Sequence, residues 1–177
     1  MKLLVVVDMQ NDFIDGALGT PEAVAIVPNV KAKVKQYVEN GDKVVYTRDT
    51  HTKDYLNTAE GKKLPVPHCI QFSEGWQIRG EVYEFGAPVI DKVTFGYDAW
   101  IHYLSYNDII NVCEIESIEI VGLCTDICVI SNAMILKAQF HETPIIVDSS
   151  CCAGVTPQSH KNALEAMKMC QIEVIGE

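Results

Sequence analysis

Three residues in this sequence could together make and break a covalent bond. Cys128 lies in Gly122-Leu123-Cys124-Thr125-Asp126-Ile127-Cys128-Val129, where an aliphatic run passes into a helical pattern. With Thr125 or Asp126 as the cap, Cys128 falls in the first helical turn. Unpaired amides and the positive end of the helix dipole favour thiolate there, and such sites lower a cysteine pKa to about 3.5–7.5. Position therefore nominates Cys128 as a nucleophile rather than a small buried hydrophobe, with Cys151 and Cys152 as minor alternatives. Asp8, in Val7-Asp8-Met9-Gln10-Asn11-Asp12-Phe13, ends another aliphatic run. Desolvation there would raise its pKa toward the range of a proton carrier. Lys92, in Ile90-Asp91-Lys92-Val93-Thr94-Phe95-Gly96-Tyr97, ends a third run and would bring positive charge to both. The plainer readings are a loop-capping carboxylate for Asp8 and a surface lysine for Lys92.

A second constellation suits a metal ion. Asp49 and His51 alternate in Asp49-Thr50-His51, so both can turn to one point from an extended backbone. His68 follows in Pro65-Val66-Pro67-His68-Cys69, stiffened by two prolines. Glu60 is the candidate fourth ligand and Asp54 the reserve. Such oxygen and nitrogen donors fit a divalent metal, zinc first and iron or manganese next, with positions left open for water or substrate.

These residues need elements to bring them together. Aliphatic runs at Lys2 to Val7, Lys43 to Tyr46, Pro88 to Ile90, Ile118 to Val121, Pro144 to Val147 and Ile172 to Ile175 lack polar alternation, which predicts strands covered on both faces. Helical patterns lie between them at Pro28 to Glu39, Tyr97 to Cys113 (with a break expected near Ser105 to Asp108), Asp126 to Phe140 and Pro157 to Met169. Alternation of this kind implies a three-layer α/β/α fold with a mostly parallel central sheet. Ligands bind such sheets beyond the carboxyl ends of the strands. Asp8, Asp49 with His51, Lys92, and the Cys124 to Cys128 stretch follow the first four runs, so they should meet at one rim. Thr50 to Gly86 is polar and aperiodic, as expected of a functional loop that carries ligands.

Bulk properties narrow the partners. At 177 residues the chain fits a single domain, 1–177, and 48% apolar with 21% charged residues matches a globular protein. A net charge of −10 argues against nucleic acid, which is held by clustered Lys and Arg. No apolar run approaches the roughly 20 residues of a membrane span. Seven cysteines, an odd number, argue against a complete disulfide framework and for reduced thiols in the cytoplasm. The expected partner is a small-molecule substrate, not nucleic acid or membrane, with homo-oligomer formation left open.

Taken together, the motifs around Asp8, Arg48-Asp49-Thr50-His51, Pro67-His68-Cys69, Lys92 with Phe95, and Gly122 to Val129 resemble those of the isochorismatase-like cysteine hydrolases, and within them the nicotinamidase pattern. The resemblance implies the Rossmann-like, isochorismatase-like version of the three-layer fold. It implies a catalytic set of Asp8, Lys92 and Cys128, and metal ligation by Asp49, His51 and His68, with Glu60 at the variable fourth position. It further implies a cis peptide before Cys124, an oxyanion hole from the Cys124 and Cys128 amides, and an aromatic wall from Phe13 with Trp76 or Tyr97. The implied reaction is amide hydrolysis through a Cys128 thioester, with nicotinamide yielding nicotinate and ammonia. Phe72 and Ile127 depart from the common pattern and suggest a reshaped pocket. Two other readings stand beside it: an amidase for another small amide, carbamoyl or ureido substrate, and a non-catalytic binding or redox-sensing protein.

Overall fold

Aliphatic runs without polar alternation are stable as strands only where both faces are covered. The computed structural model describes residues 1–177 and meets that condition with six parallel strands. They are β1 (Leu3–Val7), β2 (Lys43–Asp49), β3 (Val89–Lys92), β4 (Ile118–Leu123), β5 (Ile145–Ala153) and β6 (Glu173–Ile175), in the order β3-β2-β1-β4-β5-β6. β1 is buried along its whole length, sending Leu3, Val5 and Val7 into one core and Leu4 and Val6 into the other. Helices α1 (Asn11–Ile14) and α2 (Pro21–Glu39) pack on the second core. Helices α3 (Trp100–Tyr106), α4 (Ile130–Gln139) and α5 (Pro157–Met169) pack on the first. This is the three-layer α/β/α arrangement the alternating patterns implied. No helix is long and apolar enough to cross a membrane.

Several elements differ from the sequence reading, each for a local reason. α2 starts at Pro21, not Pro28: the Thr20 side chain accepts the Ala23 N–H, and proline in the first turn has no hydrogen bond to lose. Pro28 is accommodated inside the helix. The pattern from Tyr97 to Cys113 yields only α3 and a 3₁₀ turn at Val112–Glu114, with Asp108 between them at φ 51°. The stretch before α4 is a π-helical turn, Thr125–Val129, which neither Thr125 nor Asp126 caps. Instead Thr125 Oγ1 lies 2.8 Å from His160 Nδ1, and the Asp126 carboxylate accepts the Val155 N–H.

The strands run on past their aliphatic portions, and this positions the polar residues. Asp49 and Lys92 are the last residues of β2 and β3 and sit opposite each other in the ladder. Asp8 directly follows β1, so three neighbouring strand ends present these side chains at one rim. At the end of β4, Gly122 has φ +119°, and a Cβ there would stand 2.1 Å from the Val7 carbonyl, so only glycine lets the two strands come this close. The next peptide, Leu123–Cys124, is cis.

α2 is fastened to the sheet by charge as well as by packing. Lys33 Nζ lies 2.7 Å from Glu119 on β4 and 2.9 Å from Asp148 on β5, and Tyr37 donates to Glu119 at 2.6 Å. Burial pushes the Asp148 carboxyl up, but Lys33 and Ser150 together outweigh it and hold the pKa below its ordinary value. A folded pKa depressed in this way contributes stability above the unfolded pKa, which is lost as pH falls through the carboxylate range. Lys33→Met is therefore expected to cost about 3 kcal/mol at neutral pH, because it strands two largely buried carboxylates. Urea denaturation should show the difference from wild type narrowing as pH is lowered toward about 4; a penalty independent of pH would contradict this assignment.

Candidate active site

Lys92 joins the polar groups at the rim. Its side chain is wholly buried, and Nζ stands 2.7 Å from Asp8 Oδ2, 3.8 Å from Asp49 Oδ1 and 3.7 Å from Cys128 Sγ. Burial works against its charge, but Asp8, Cys128 and Asp49 outweigh it and keep it an ammonium. Asp8 is also wholly buried, in the left-handed region at φ 46°, and its Oδ1 accepts from Thr47 Oγ1 at 2.6 Å. Burial raises its pKa above the ordinary carboxylate value, against the pull of Lys92, which makes this carboxylate a better proton acceptor than an exposed one.

Cys128 lies in the π-helical turn, 4% exposed. Its pKa is pushed well above the ordinary thiol value, by burial first and the Asp8 charge next, against the lowering effect of Lys92. This corrects the expectation of a thiolate stabilised by a helix end. A thiol held by burial becomes a nucleophile as a neighbour takes its proton, and Asp8 stands beside it on the same Lys92 ammonium. Cys124, one turn earlier, is pushed up to about 12 by burial and by Asp126 and Asp8. Its backbone N–H donates to no protein acceptor.

Beside this cluster, Asp49, His51, Glu60 and His68 each present a ligand atom, all within 4.8 Å of one another. Their chemistry fits a divalent cation on three counts. His51 Nε2 is buried without a hydrogen-bond partner, although it lies 2.9 Å from Asp49 Oδ2. His68 Nδ1 is occupied by the Val66 carbonyl at 2.8 Å, which leaves Nε2 for a ligand. Asp8 and Asp49 face a single ammonium and Glu60 adds a third carboxylate beside the two histidines, a negative excess that a dication would neutralise. Burial would raise Asp49, but both histidines and Lys92 hold it well below the carboxylate range. Asp54 is not part of the group; it accepts from Asn57 within the following turn.

Both clusters open on one cavity of about 670 Å³, lined by Asp49, Glu60, His68, Cys124 and Cys128. Its apolar wall comes from Phe13, Leu18, Leu64, Phe95, Ile127 and Val155 among others. Trp76 and Tyr97 do not line it, contrary to expectation. The Trp76 indole donates to Thr50 Oγ1 and stacks under Arg48, whose guanidinium pairs with Asp91. Tyr97 turns into the core against Trp100 and Tyr103. Phe72 is 80% exposed and lies outside the cavity, beside Trp76. The sequence reading overlooked Gln10, whose side chain accepts the Asp49 N–H at 2.7 Å and donates to the Asp49 carbonyl at 2.8 Å. It also overlooked the bond from Thr47 to Asp8. Such partners are distant in sequence and of types common on any surface, so only the fold reveals them.

A buried cysteine, carboxyl and ammonium at the ends of parallel strands, next to a carboxylate and histidine metal group, define a cysteine hydrolase type of site. The chain matches the Isochorismatase domain family over residues 2–176 and belongs to that family. Among its relatives, the nicotinamidase of Schizosaccharomyces pombe is 27% identical, over 98% of this chain and 92% of that one. The crystal structure of a pyrazinamidase of Pyrococcus horikoshii in complex with zinc superposes with a TM-score of 0.81 at 27% identity, covering 99% of each chain. An N-carbamoylsarcosine amidase from Thermoplasma acidophilum is also 27% identical, with a TM-score of 0.76, over 98% of this chain and 95% of that one.

The ligand group can be tested directly. His51→Ala is expected to weaken zinc binding by at least about a hundredfold, beyond the range of changes outside the ligand set. Titration against a chromogenic chelator would measure it, and unchanged affinity would reject His51 as a ligand.

Proposed function

We propose that this protein is a nicotinamidase, hydrolysing the carboxamide of nicotinamide to nicotinate and ammonia, with residues 1–177 acting as one domain. The observation that carries this reading is that Cys128, backed by Lys92 and Asp8, and Asp49, Glu60 and His68 of the metal group open onto a single largely apolar cavity. A divalent metal, which we take to be zinc, would supply a Lewis acid there that suits a neutral ring nitrogen. The seven free thiols favour a reducing, cytoplasmic setting.

In this mechanism Asp8 accepts the Cys128 proton as the sulfur attacks the amide carbon, and Lys92 offsets the charge that moves between them. The backbone N–H groups of Cys124 and Cys128 receive the developing oxyanion. Asp8 returns the proton to the departing nitrogen, ammonia leaves, and an acyl thioester remains on Cys128. Water then opens the thioester, giving its proton to Asp8 and restoring the thiol.

The relationship to an N-carbamoylsarcosine amidase keeps a ureido acid substrate as the second reading. A carboxylate-bearing substrate would call for a guanidinium in the cavity. No arginine lines it, and Arg48 is committed to Asp91 and Trp76.

Purified protein is expected to release ammonia from nicotinamide, to lose that activity on chelation, and to regain it with zinc. A coupled ammonia assay across nicotinamide, aliphatic amides and ureido acids would decide. Turnover of ureido acids with none of nicotinamide would overturn the substrate assignment.

A further inference from the structure

Asn132 lies on α4, one turn beyond Cys128, and is fully buried. Nδ2 donates to the Cys128 carbonyl at 2.8 Å and to the Phe95 carbonyl at 3.2 Å. Oδ1 accepts from the Tyr97 N–H at 3.0 Å and from the Trp100 indole at 3.2 Å. The side-chain amide has two donor hydrogens and two acceptor lone pairs, so its capacity is fully used. One bond goes to the nucleophile's turn. The others go to the strap that leaves β3 directly after Lys92 and continues into α3.

The strap is also braced within itself and fitted closely to α4. Thr94 Oγ1 donates to the Gly96 carbonyl at 2.7 Å. A Cβ on Gly96 would stand 2.5 Å from Ile135 Cδ1 and 3.1 Å from the Ser131 backbone. Within this strap Val93, Thr94 and Phe95 line the cavity, and Val93 and Phe95 are left 76% and 46% exposed there.

An aliphatic residue at position 132 could fill the same core space. A fully bonded amide does something more, because any shift of the strap along α4 would leave buried polar groups unpaired. The strap therefore has one favoured position relative to Cys128. Apart from the Cys128 backbone carbonyl, the groups that Asn132 bonds lie outside the reacting cluster, and it makes no hydrogen bond to the Cys128 sulfur, Asp8 or Lys92.

We propose that Asn132 is a positioning residue that ties the 93–97 strap to the Cys128 turn, so that Val93 and Phe95 form the wall deciding which acyl group is admitted. It acts on substrate admission rather than on bond making. The inference rests on the carboxamide reading above only for the identity of the substrate.

Asn132→Ser separates the two halves of the network. A serine can still donate to the carbonyl four residues back, as Ser131 does to Ile127 at 2.6 Å on the same helix, but it cannot reach across to the strap. The expected result with nicotinamide is a KM raised about tenfold with kcat changed less than about twofold, the pattern of lost binding rather than lost bond making. Gly96→Ala, whose Cβ would displace Ile135 Cδ1 and crowd the Ser131 backbone without touching Asn132, should move the two constants in the same direction by a smaller factor, and guards against misfolding of the first variant. In both variants, alkylation of Cys128 by N-phenylmaleimide, followed on its peptide by mass spectrometry, should speed up relative to the small reagent iodoacetamide. A fall in kcat with KM unchanged, or an unchanged alkylation ratio, would overturn the proposal. If the wild type does not hydrolyse nicotinamide, the substrate reading alone fails, and the alkylation ratio still decides the role of Asn132.

Discussion

The site depends on one buried cation. An ammonium removed from water is expensive, by several kcal/mol even after relaxation, and persists only where opposite charge is close and well placed. Lys92 has Asp8 at 2.7 Å and Asp49 at 3.8 Å, with the Cys128 sulfur at 3.7 Å. The sheet supplies that arrangement: β2 and β3 end side by side on Asp49 and Lys92, and β1 ends beside β2 one residue before Asp8. One charge is thus shared by the proton carrier, the sulfur and a metal-ligating carboxylate. The protonation of each depends on the other two.

This sharing explains why the two clusters stand next to each other. Asp49 lies buried between His51, His68 and Lys92, and Gln10 grips its backbone on both sides. A metal held there would draw on the same carboxylate that faces Lys92. Loss of the ion would therefore disturb the field at Cys128 as well as substrate binding. The high thiol pKa is compatible with catalysis on these terms, because a proton acceptor is built in beside the sulfur and no standing thiolate is required.

Much of this was legible in the sequence because burial on both faces leaves an unmistakable mark on strands. Six aliphatic runs located the six strands, and the polar residues at their ends pointed to the rim. Asp49, His51, Glu60 and His68 were legible as donors of the right type near one another along the chain, and the fold gathers them. What escaped was long-range or conformational. The start of α2 depended on a threonine cap, Thr20, eight residues before Pro28. Trp76 and Tyr97 looked like cavity walls, but hydrogen bonding to Thr50 and core packing turned them elsewhere. The upward push on the Cys128 thiol escaped because helix-end electrostatics is a local property, whereas burial arises from the whole fold.

The most direct test of the shared cation is the reactivity of Cys128 when it is removed. Iodoacetamide alkylation of Cys128, followed by peptide mass spectrometry across pH, should be compared between wild type and Lys92→Met. Because Lys92 lowers the Cys128 pKa against burial and Asp8, its loss should move the alkylation midpoint to higher pH and slow the reaction near neutrality by about tenfold or more. An unchanged rate and midpoint in a folded Lys92→Met protein would contradict the account.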